Sequence, residues 1–434
     1  MKNWKNILGQ LDRKLFIYIV SLILPFILLP LALSPLQESR CSYAFILTAS
    51  YWILEPVPIY VSGLLPVFLL PLLGLLSSPE VCANYMKEIT MLVIGSILVS
   101  QAVEESKLHE RISLKILLLI GTDLQWLLLG VMLSTMFMSM WMINTATTAM
   151  MLPIVEALLK KISASLNRST ESAKVIGQSP ILETSLTENK CIHDPRIDDY
   201  SGNEYQNQSQ IRIVFLISIC YSANIGGTGT LTGTGSNFLL KGLMEEHFPE
   251  SDEINFATWM IYSIPGMLLC TVIAWFYLWK IYLRKSKYNP TLKQELFETI
   301  SKRYEELGPL SYCEKVVSTL FVILLLLWLT RDPKVMNGWS KLVGFDKKVG
   351  DVVPAIAISF LLFLLPSDIK KFENGPILKF EKASKQIPWG LILIFGGSYS
   401  LASAAQFATV IHDLMLHSSG FHAAQLELLK CVEL

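Results

Sequence analysis

Long apolar stretches alternate with short polar breaks along most of this chain. Apolar runs occupy residues 15–33, 43–54, 57–76, 91–103, 116–141, 150–159, 211–221, 259–282, 316–329, 352–365 and 388–405. A helix needs about 20 mostly apolar residues to cross the hydrocarbon of a bilayer, and several of these runs are too short to span alone. Short apolar pieces broken by Gly, Asn, Thr or Pro predict hairpins that enter and leave from one side, or helices unwound at mid-membrane. Irregular backbone survives at that depth only where it is buried in protein or lines a cavity. The pattern predicts an all-α polytopic membrane protein.

Two polar stretches interrupt it. Residues 160–210 are rich in Ser, Asn, Glu and Lys with no sustained apolar period, which predicts a loop, disordered in part. Residues 284–308 mix charges and predict an amphipathic surface helix, with Lys280, Arg284, Lys285 and Lys287 at the membrane exit. Lys and Arg collect in cytoplasmic segments, so that cluster predicts a cytoplasmic side. Lys2, Lys5, Arg13 and Lys14 place the N-terminus there too. The first apolar run is too long for a signal-peptide core and lacks a small-residue cleavage site, so it predicts a first transmembrane helix. The sequons at Asn167 and Asn207 would be modified only in an external loop. An even number of crossings before the loop predicts an internal one.

A weak internal repeat divides the chain. Val57-Pro58-Ile59, followed by Phe68-Leu69-Leu70-Pro71, is echoed about 295 positions later by Val353-Pro354-Ala355 and Phe363-Leu364-Leu365-Pro366. Leu92-Val93-Ile94-Gly95-Ser96 is echoed about 300 positions later by Leu393-Ile394-Phe395-Gly396-Gly397. Apolar segments match by chance easily, but paired repeats are the build of secondary transporters, whose sites form where the repeats meet. The expected segments are 1–40 (N-terminal segment and first helix), 41–283 (first repeat, with the polar loop 160–210), 284–315 (linker) and 316–434 (second repeat).

Composition supports a lipid-facing surface. Of 434 residues, 52% are hydrophobic and 17% charged, against about a quarter charged in soluble domains. Lys plus Arg (36) balance Asp plus Glu (36), which argues for no nucleic-acid partner. The seven cysteines have no paired spacing, so neither a disulfide framework nor a zinc site is expected. No Ser-His-Asp, Cys-His or HExxH constellation supports an enzyme. Glu156, four residues before Lys160, predicts an ion pair at the membrane edge.

Chemistry concentrates in two stretches. In the first, Asn144, Thr145, Thr147 and Thr148 lie between two apolar segments, with Pro153 shortly after. Buried amides and hydroxyls must be satisfied within the protein or by a ligand. They serve either as helix–helix hydrogen bonds or as the tip of a re-entrant hairpin that meets a carboxylate. The second is Gly226-Gly227-Thr228-Gly229-Thr230-Leu231-Thr232-Gly233-Thr234-Gly235-Ser236-Asn237. Each Gly costs a helix about 1 kcal/mol against Ala, so this run predicts an unwound segment. Free N–H groups there suit an anion, and free carbonyls and hydroxyls suit a hard cation such as sodium. A small-residue packing seam is the plainer alternative. A phosphate loop is excluded, because no Gly-Lys-Ser/Thr follows and Lys241 is displaced.

These two stretches resemble the signatures of the divalent anion/sodium symporters, solute carrier family 13, which carry di- and tricarboxylates or sulfate. The family's Ser-Asn-Thr followed by Ala-Thr-Thr-Ala-Met-Met-Leu-Pro stands here as Ile143-Asn144-Thr145 followed by the same residues through Pro153. Its Gly-Gly-Thr-x-Thr-x-Thr-Gly-Thr-x-x-Asn run is matched from Gly226 to Asn237. Glu55-Pro56-Val57-Pro58 and the stretch from Glu104 to Ile112 look similar too, and the resemblance covers about 51–405.

The resemblance implies an inverted-repeat, elevator-type transporter with re-entrant hairpins, in the plasma membrane, dimerising through a scaffold. It implies carboxylate substrates of the succinate and citrate class, with sulfate as the alternative, and sodium as the coupling ion. Asn144, Thr145 and the backbone near Gly235 would contact substrate. Ile143, Asn144, Gly233, Thr234, Gly235 and Asn237 would surround sodium. Two departures stand out. Ile143 replaces the motif serine and removes a side-chain oxygen beside the cation, and the family also includes members that work without sodium. The counterpart of Asn144 in the second repeat would fall at about position 440, past Leu434. The second repeat is therefore expected to be incomplete, as in a partial gene model or a non-transporting isoform that only dimerises.

Overall fold

A computed structural model of the chain describes residues 2–176, 195–248, 251, 253–284, 290–332, 338–342, 344, 349–369 and 375–408. Its helices run in the order α1 Lys2–Ile27, α2 Leu29–Ala32, α3 Gln37–Leu54, α4 Ile59–Ser62, α5 Leu65–Leu72, α6 Ser78–Tyr85, α7 Glu88–Glu105, α8 Leu108–Ile120, α9 Leu124–Ser139 and α10 Asn144–Ile176. There follow α11 Pro195–Gly227, α12 Gly235–His247, α13 Phe256–Leu278 with a π turn Trp279–Leu283, α14 Pro290–Glu306, α15 Tyr312–Arg331, α16 Trp339–Leu342, α17 Val352–Leu364, α18 Phe380–Gln386 and α19 Trp389–Phe407. Among the described residues, six helices are long and apolar enough to cross a membrane: Lys14–Ala32, Ser78–Glu105, Ser209–Gly227, Phe256–Leu283, Tyr312–Arg331 and Trp389–Phe407. The helical fold class predicted from the apolar runs is what the chain adopts.

Two compact units form, one from Met1–Met91 with Lys385–Leu434, the other from Leu92–Ser384. In the first, α19 packs against α3, α4, α5 and α6, burying Cys41, Ala44, Leu70, Val81, Leu401 and Ala404. Glycine sets the distance at the crossing. A Cβ on Gly397 would come within 2.6 Å of the Gly63 carbonyl, and Tyr85 donates its hydroxyl to that same carbonyl at 2.6 Å. The expected segments 1–40, 41–283, 284–315 and 316–434 follow chain order, whereas these units follow packing. Helix α19 accordingly joins the first 91 residues.

The second unit carries the motifs. Leu117, Leu127, Leu128, Val131, Val155, Val214 and Phe215 form its core with Leu296 and Ile300, joining α8, α9, α10 and α11 to α14. Lipid tails are as apolar as leucine, so such helices associate through close packing and hydrogen bonds rather than by escaping water. The α9–α11 contact, the most extensive helix pair, fits that rule: Ser134, Thr135, Ser139, Ser218 and Ser222 are all buried on these two helices. Thr135 and Ser218 turn their hydroxyls back onto carbonyls of their own helices at 2.7 and 2.8 Å, which keeps the seam closely packed, and Ser139 of α9 reaches the Ala223 carbonyl of α11.

Two expectations are corrected. Residues 160–210 were expected to be a loop, but α10 runs to Ile176 and α11 begins at Pro195. The stretch 160–176 contains no Gly or Pro, so a helix started by the apolar hairpin continues through polar residues. Both sequons thus lie on helical backbone. Glu156 lies 3.8 Å from Arg212 on the neighbouring helix, and its partner was not visible in the local i,i+4 pattern. The expected surface helix is present as α14, with Leu296 and Ile300 buried. Lys285, Lys287 and the tail from 409 lie outside the described residues.

Candidate functional site

Helices α9 and α10 form a hairpin closed by residues 140–143. With 16 residues, α9 is about 24 Å long, short of a full crossing. At the tip Ile143 is 38% exposed, Asn144 half-buried and Thr145 exposed. The Ile143 carbonyl accepts from Thr147 N at 3.0 Å, so this position contributes backbone to the first turn of α10 and an apolar side chain to the surface.

The Asn144 amide is held on three sides. Its Oδ1 lies 2.9 Å from Ser139 Oγ, and its Nδ2 donates to Asn224 Oδ1 at 3.1 Å. Beneath it is Gly227, where a Cβ would approach Asn144 Oδ1 to 2.5 Å. Ser139 Oγ also lies 2.6 Å from the Ala223 carbonyl. Neither Ser139 nor Asn224 belongs to the two motifs. A polar residue inside an apolar run was the only signal available for either.

The glycine-rich run breaks later than its composition predicted. Helix α11 stays regular through Gly227, residues 228–234 leave the helix, and α12 starts at Gly235 with Thr234 as its N-cap. None of Gly226, Gly227, Gly229, Gly233 or Gly235 has a positive φ, so conformational freedom is not their use. Close approach is. A Cβ on Gly226 would lie 2.2 Å from the Met136 carbonyl, and one on Gly233 would lie 2.4 Å from the Gly227 carbonyl. The packing seam and the unwound segment, alternatives in the sequence, are both present.

The broken segment is braced. Asn237 Nδ2 donates to the carbonyls of Gly227 (3.0 Å) and Thr230 (2.8 Å), which leaves only its Oδ1 for a cation. Thr230 Oγ1 donates to the Met140 carbonyl of the hairpin tip, and Trp259 Nε1 donates to the Thr228 carbonyl at 3.0 Å. Gly227 therefore touches Asn144 on one side and Gly233 on the other. Through it the hairpin tip and the broken segment meet. Two buried hydroxyls beside this junction, Thr147 Oγ1 on α10 and Ser222 Oγ on α11, have no hydrogen-bond partner among the described residues. Neutral hydroxyl and carbonyl oxygens are the ligand type that suits a hard cation.

Among the described residues, the side chains bonded to the Asn144 amide and to the broken segment are all neutral. Lys241, one turn past Asn237, is 5% exposed, and its Nζ lies 2.6 Å from Asp351 Oδ2. Arg331 Nε is 2.7 Å from the other Asp351 oxygen, although that oxygen makes no aligned hydrogen bond. Lys241 also lies 3.5 Å from Glu245 on its own helix, but its closer partner Asp351 is 110 positions downstream, so the sequence alone shows it only as a displaced phosphate-loop lysine. An open cavity of about 310 Å³ lies elsewhere, lined by Glu156, Lys160, Ser209 and Arg212, about 18 Å along α10 from Asn144 at 1.5 Å per residue.

Comparison with known proteins fits this arrangement. Residues 10–424 match the family described as the sodium:sulfate symporter transmembrane region. The chain is 37% identical to the Na(+)/citrate cotransporter of Rattus norvegicus over 420 residues, covering 90% of this chain and 73% of that protein. It is 35% identical to the Na(+)/dicarboxylate cotransporter 3 of Homo sapiens over 431 residues, covering 89% and 71%. It is 36% identical to solute carrier family 13 member 2 of Oryctolagus cuniculus over 427 residues, covering 90% and 72%. With its hairpin tip, its broken glycine-rich helix and matches of this extent, the chain belongs to the divalent anion/sodium symporter family, solute carrier family 13, as an integral multi-pass membrane protein.

Proposed function

We propose that this chain moves di- and tricarboxylates of the succinate and citrate class across a membrane, coupled to sodium. The observation that carries this reading is the junction at Gly227, where Asn144 of the hairpin tip meets the broken segment 228–234. Asn144, Thr145 and the backbone at Gly235 contact the substrate carboxylate. The oxygens of Ile143, Asn144, Gly233, Thr234, Gly235 and Asn237 hold sodium, with the Ile143 contribution limited to its carbonyl. A carboxylate stripped of water needs compensation worth several kcal/mol, and a junction without charged side chains supplies only dipoles. A sodium ion bound beside it offsets the anion's charge, which is the physical basis of coupling. The relatives named as sodium/citrate and sodium/dicarboxylate cotransporters support the substrate class.

The same reading includes the family architecture: inverted repeats, a transport domain moving elevator-fashion against a scaffold, a homodimer through that scaffold, and a plasma-membrane location with the N-terminus in the cytoplasm. Sulfate is the second reading, because the matched family model is described by it. Flux of labelled succinate, citrate and sulfate, each with and without sodium, tests substrate and coupling together. Saturable sulfate flux without carboxylate flux would overturn the substrate class. Equal carboxylate flux in both media would overturn the coupling.

A further inference from the structure

We propose that Asn224 is a specificity-determining residue of this site, its amide N–H contacting the substrate carboxylate beside Asn144 and Thr145; this rests on the carboxylate reading above. Asn224 lies on the last turn of α11, three residues before Gly227, and its side chain is exposed. Its Oδ1 accepts from Asn144 Nδ2 at 3.1 Å, and no described residue accepts from its Nδ2. An amide nitrogen brings two hydrogens to a site. Here they stand on the exposed side of the junction next to the residues that meet the anion.

The hydroxyl of Ser139 sharpens the point. It has one proton and two acceptors, Asn144 Oδ1 at 2.9 Å and the Ala223 carbonyl at 2.6 Å. Turning both amides over lets Ser139 donate to Ala223 and accept from Asn144, while Asn224 donates one hydrogen to Asn144. In either orientation Asn224 keeps an unpaired N–H. A carboxylate requires donors, and the buried Ser139 hydroxyl, turned to Asn144 and the Ala223 carbonyl, offers none to the exposed side. Asn224 thus does two things at once: it fixes Asn144 and adds a donor of its own.

Asn224→Asp separates these roles. The carboxylate retains an acceptor for Asn144 Nδ2 at the same reach, but it removes the N–H donors and sets a negative charge against the substrate. Succinate affinity is read from thermal stabilisation of the purified full chain in sodium-containing detergent buffer. The variant should lose roughly tenfold or more in affinity at neutral pH, the scale of a hydrogen bond to a charged group. The ratio to the wild type should recover as pH falls and the introduced carboxyl takes a proton. Asn224→Ala should show a similar loss without that recovery. Wild-type affinity in Asn224→Asp would overturn the proposal and leave Asn224 as a brace for Asn144.

Should the aspartate variant not fold, modification of Asn224→Cys by a small thiol reagent decides. It is measured against the wild-type chain, whose Cys82, Cys220 and Cys270 are exposed. Succinate should slow modification at position 224, and equal rates with and without succinate would overturn the proposal. A wild-type chain that no carboxylate stabilises would contradict the proposed function itself, whereas normal wild-type binding with an indifferent Asn224→Asp contradicts this inference alone.

Discussion

The junction around Asn144 and the cluster around Asp351 lie in the same compact unit and are built on opposite principles. At the junction the described polar groups are neutral, Thr145, Asn224 and Thr228 are exposed, and two buried hydroxyls have no partner among the described residues. Around Asp351 the partners are charged and largely withdrawn from the surface: buried Lys241 at 2.6 Å and partly buried Arg331 at 2.7 Å, with Trp328 Nε1 donating to the Asp351 carbonyl at 2.8 Å. Intramembrane charge is ordinarily a pointer to function. In this chain the charges are matched to one another and tie α12 to α15 and α17, and the groups free to meet a ligand are dipoles. A site that must release its anion on the far side has reason to avoid a fixed positive charge, which would hold the anion too long.

Breaking the charged region should have the largest effect. Asp351→Ala removes the carboxylate shared by Lys241 and Arg331 and leaves buried Lys241 only the exposed Glu245 at 3.5 Å, a loss of about 3–5 kcal/mol, so folded yield and thermal stability in detergent should collapse. Combining Lys241→Met with Asp351→Leu should recover much of that stability, because it removes the fully buried pair while Arg331, partly exposed, still donates to the Val349 carbonyl. Equal instability of single and double variants would show that the cluster is held by something other than charge pairing.

The glycine contacts come next. Gly226→Ala drives a methyl into the Met136 carbonyl, 2.2 Å away, and overpacking of this kind costs about 1–3 kcal/mol. The α9–α11 contact should loosen, lowering the melting temperature. Gly227→Ala should instead displace the Asn144 amide, weakening carboxylate binding more than stability. The two variants, adjacent in sequence but facing Met136 and Asn144 respectively, separate seam from site in a single pair of melts with and without succinate.

Ile143→Ser should have the smallest effect and a favourable one. It returns an oxygen beside the cation positions, and sodium half-saturation should fall a few-fold, in line with about 1 kcal/mol per added hydrogen-bond-class ligand. An unchanged sodium dependence would mean that the Ile143 side chain points away from the cation.

What was legible in the sequence follows from how far each signal reaches along the chain. Helical character came from apolar runs, a local property, and α14 was readable from its own amphipathic pattern. The hairpin tip was readable because Asn144 and its threonines interrupt an apolar stretch. The extent of the unwound segment was not, since Gly226 and Gly227 are glycine for the sake of neighbours on α9 and α10 rather than for backbone freedom. The polar ends of α10 and α11 were missed for a related reason: a loop was inferred from polarity where an established helix simply continued. Ser139, Asn224 and Asp351 were missed because their partners are distant in sequence, Lys241 and Asp351 being 110 positions apart.

The central claim is that a neutral junction at Asn144 binds carboxylate together with sodium. Equilibrium binding of labelled succinate to the purified chain, in sodium and in choline, for wild type and Asn144→Ala, tests it most directly. Wild type should bind saturably in sodium and at least tenfold more weakly in choline, and Asn144→Ala should lose roughly tenfold or more of the sodium-dependent affinity while still melting cooperatively as a folded protein. Succinate binding that is indifferent to sodium, or unchanged in a well-folded Asn144→Ala protein, would contradict it.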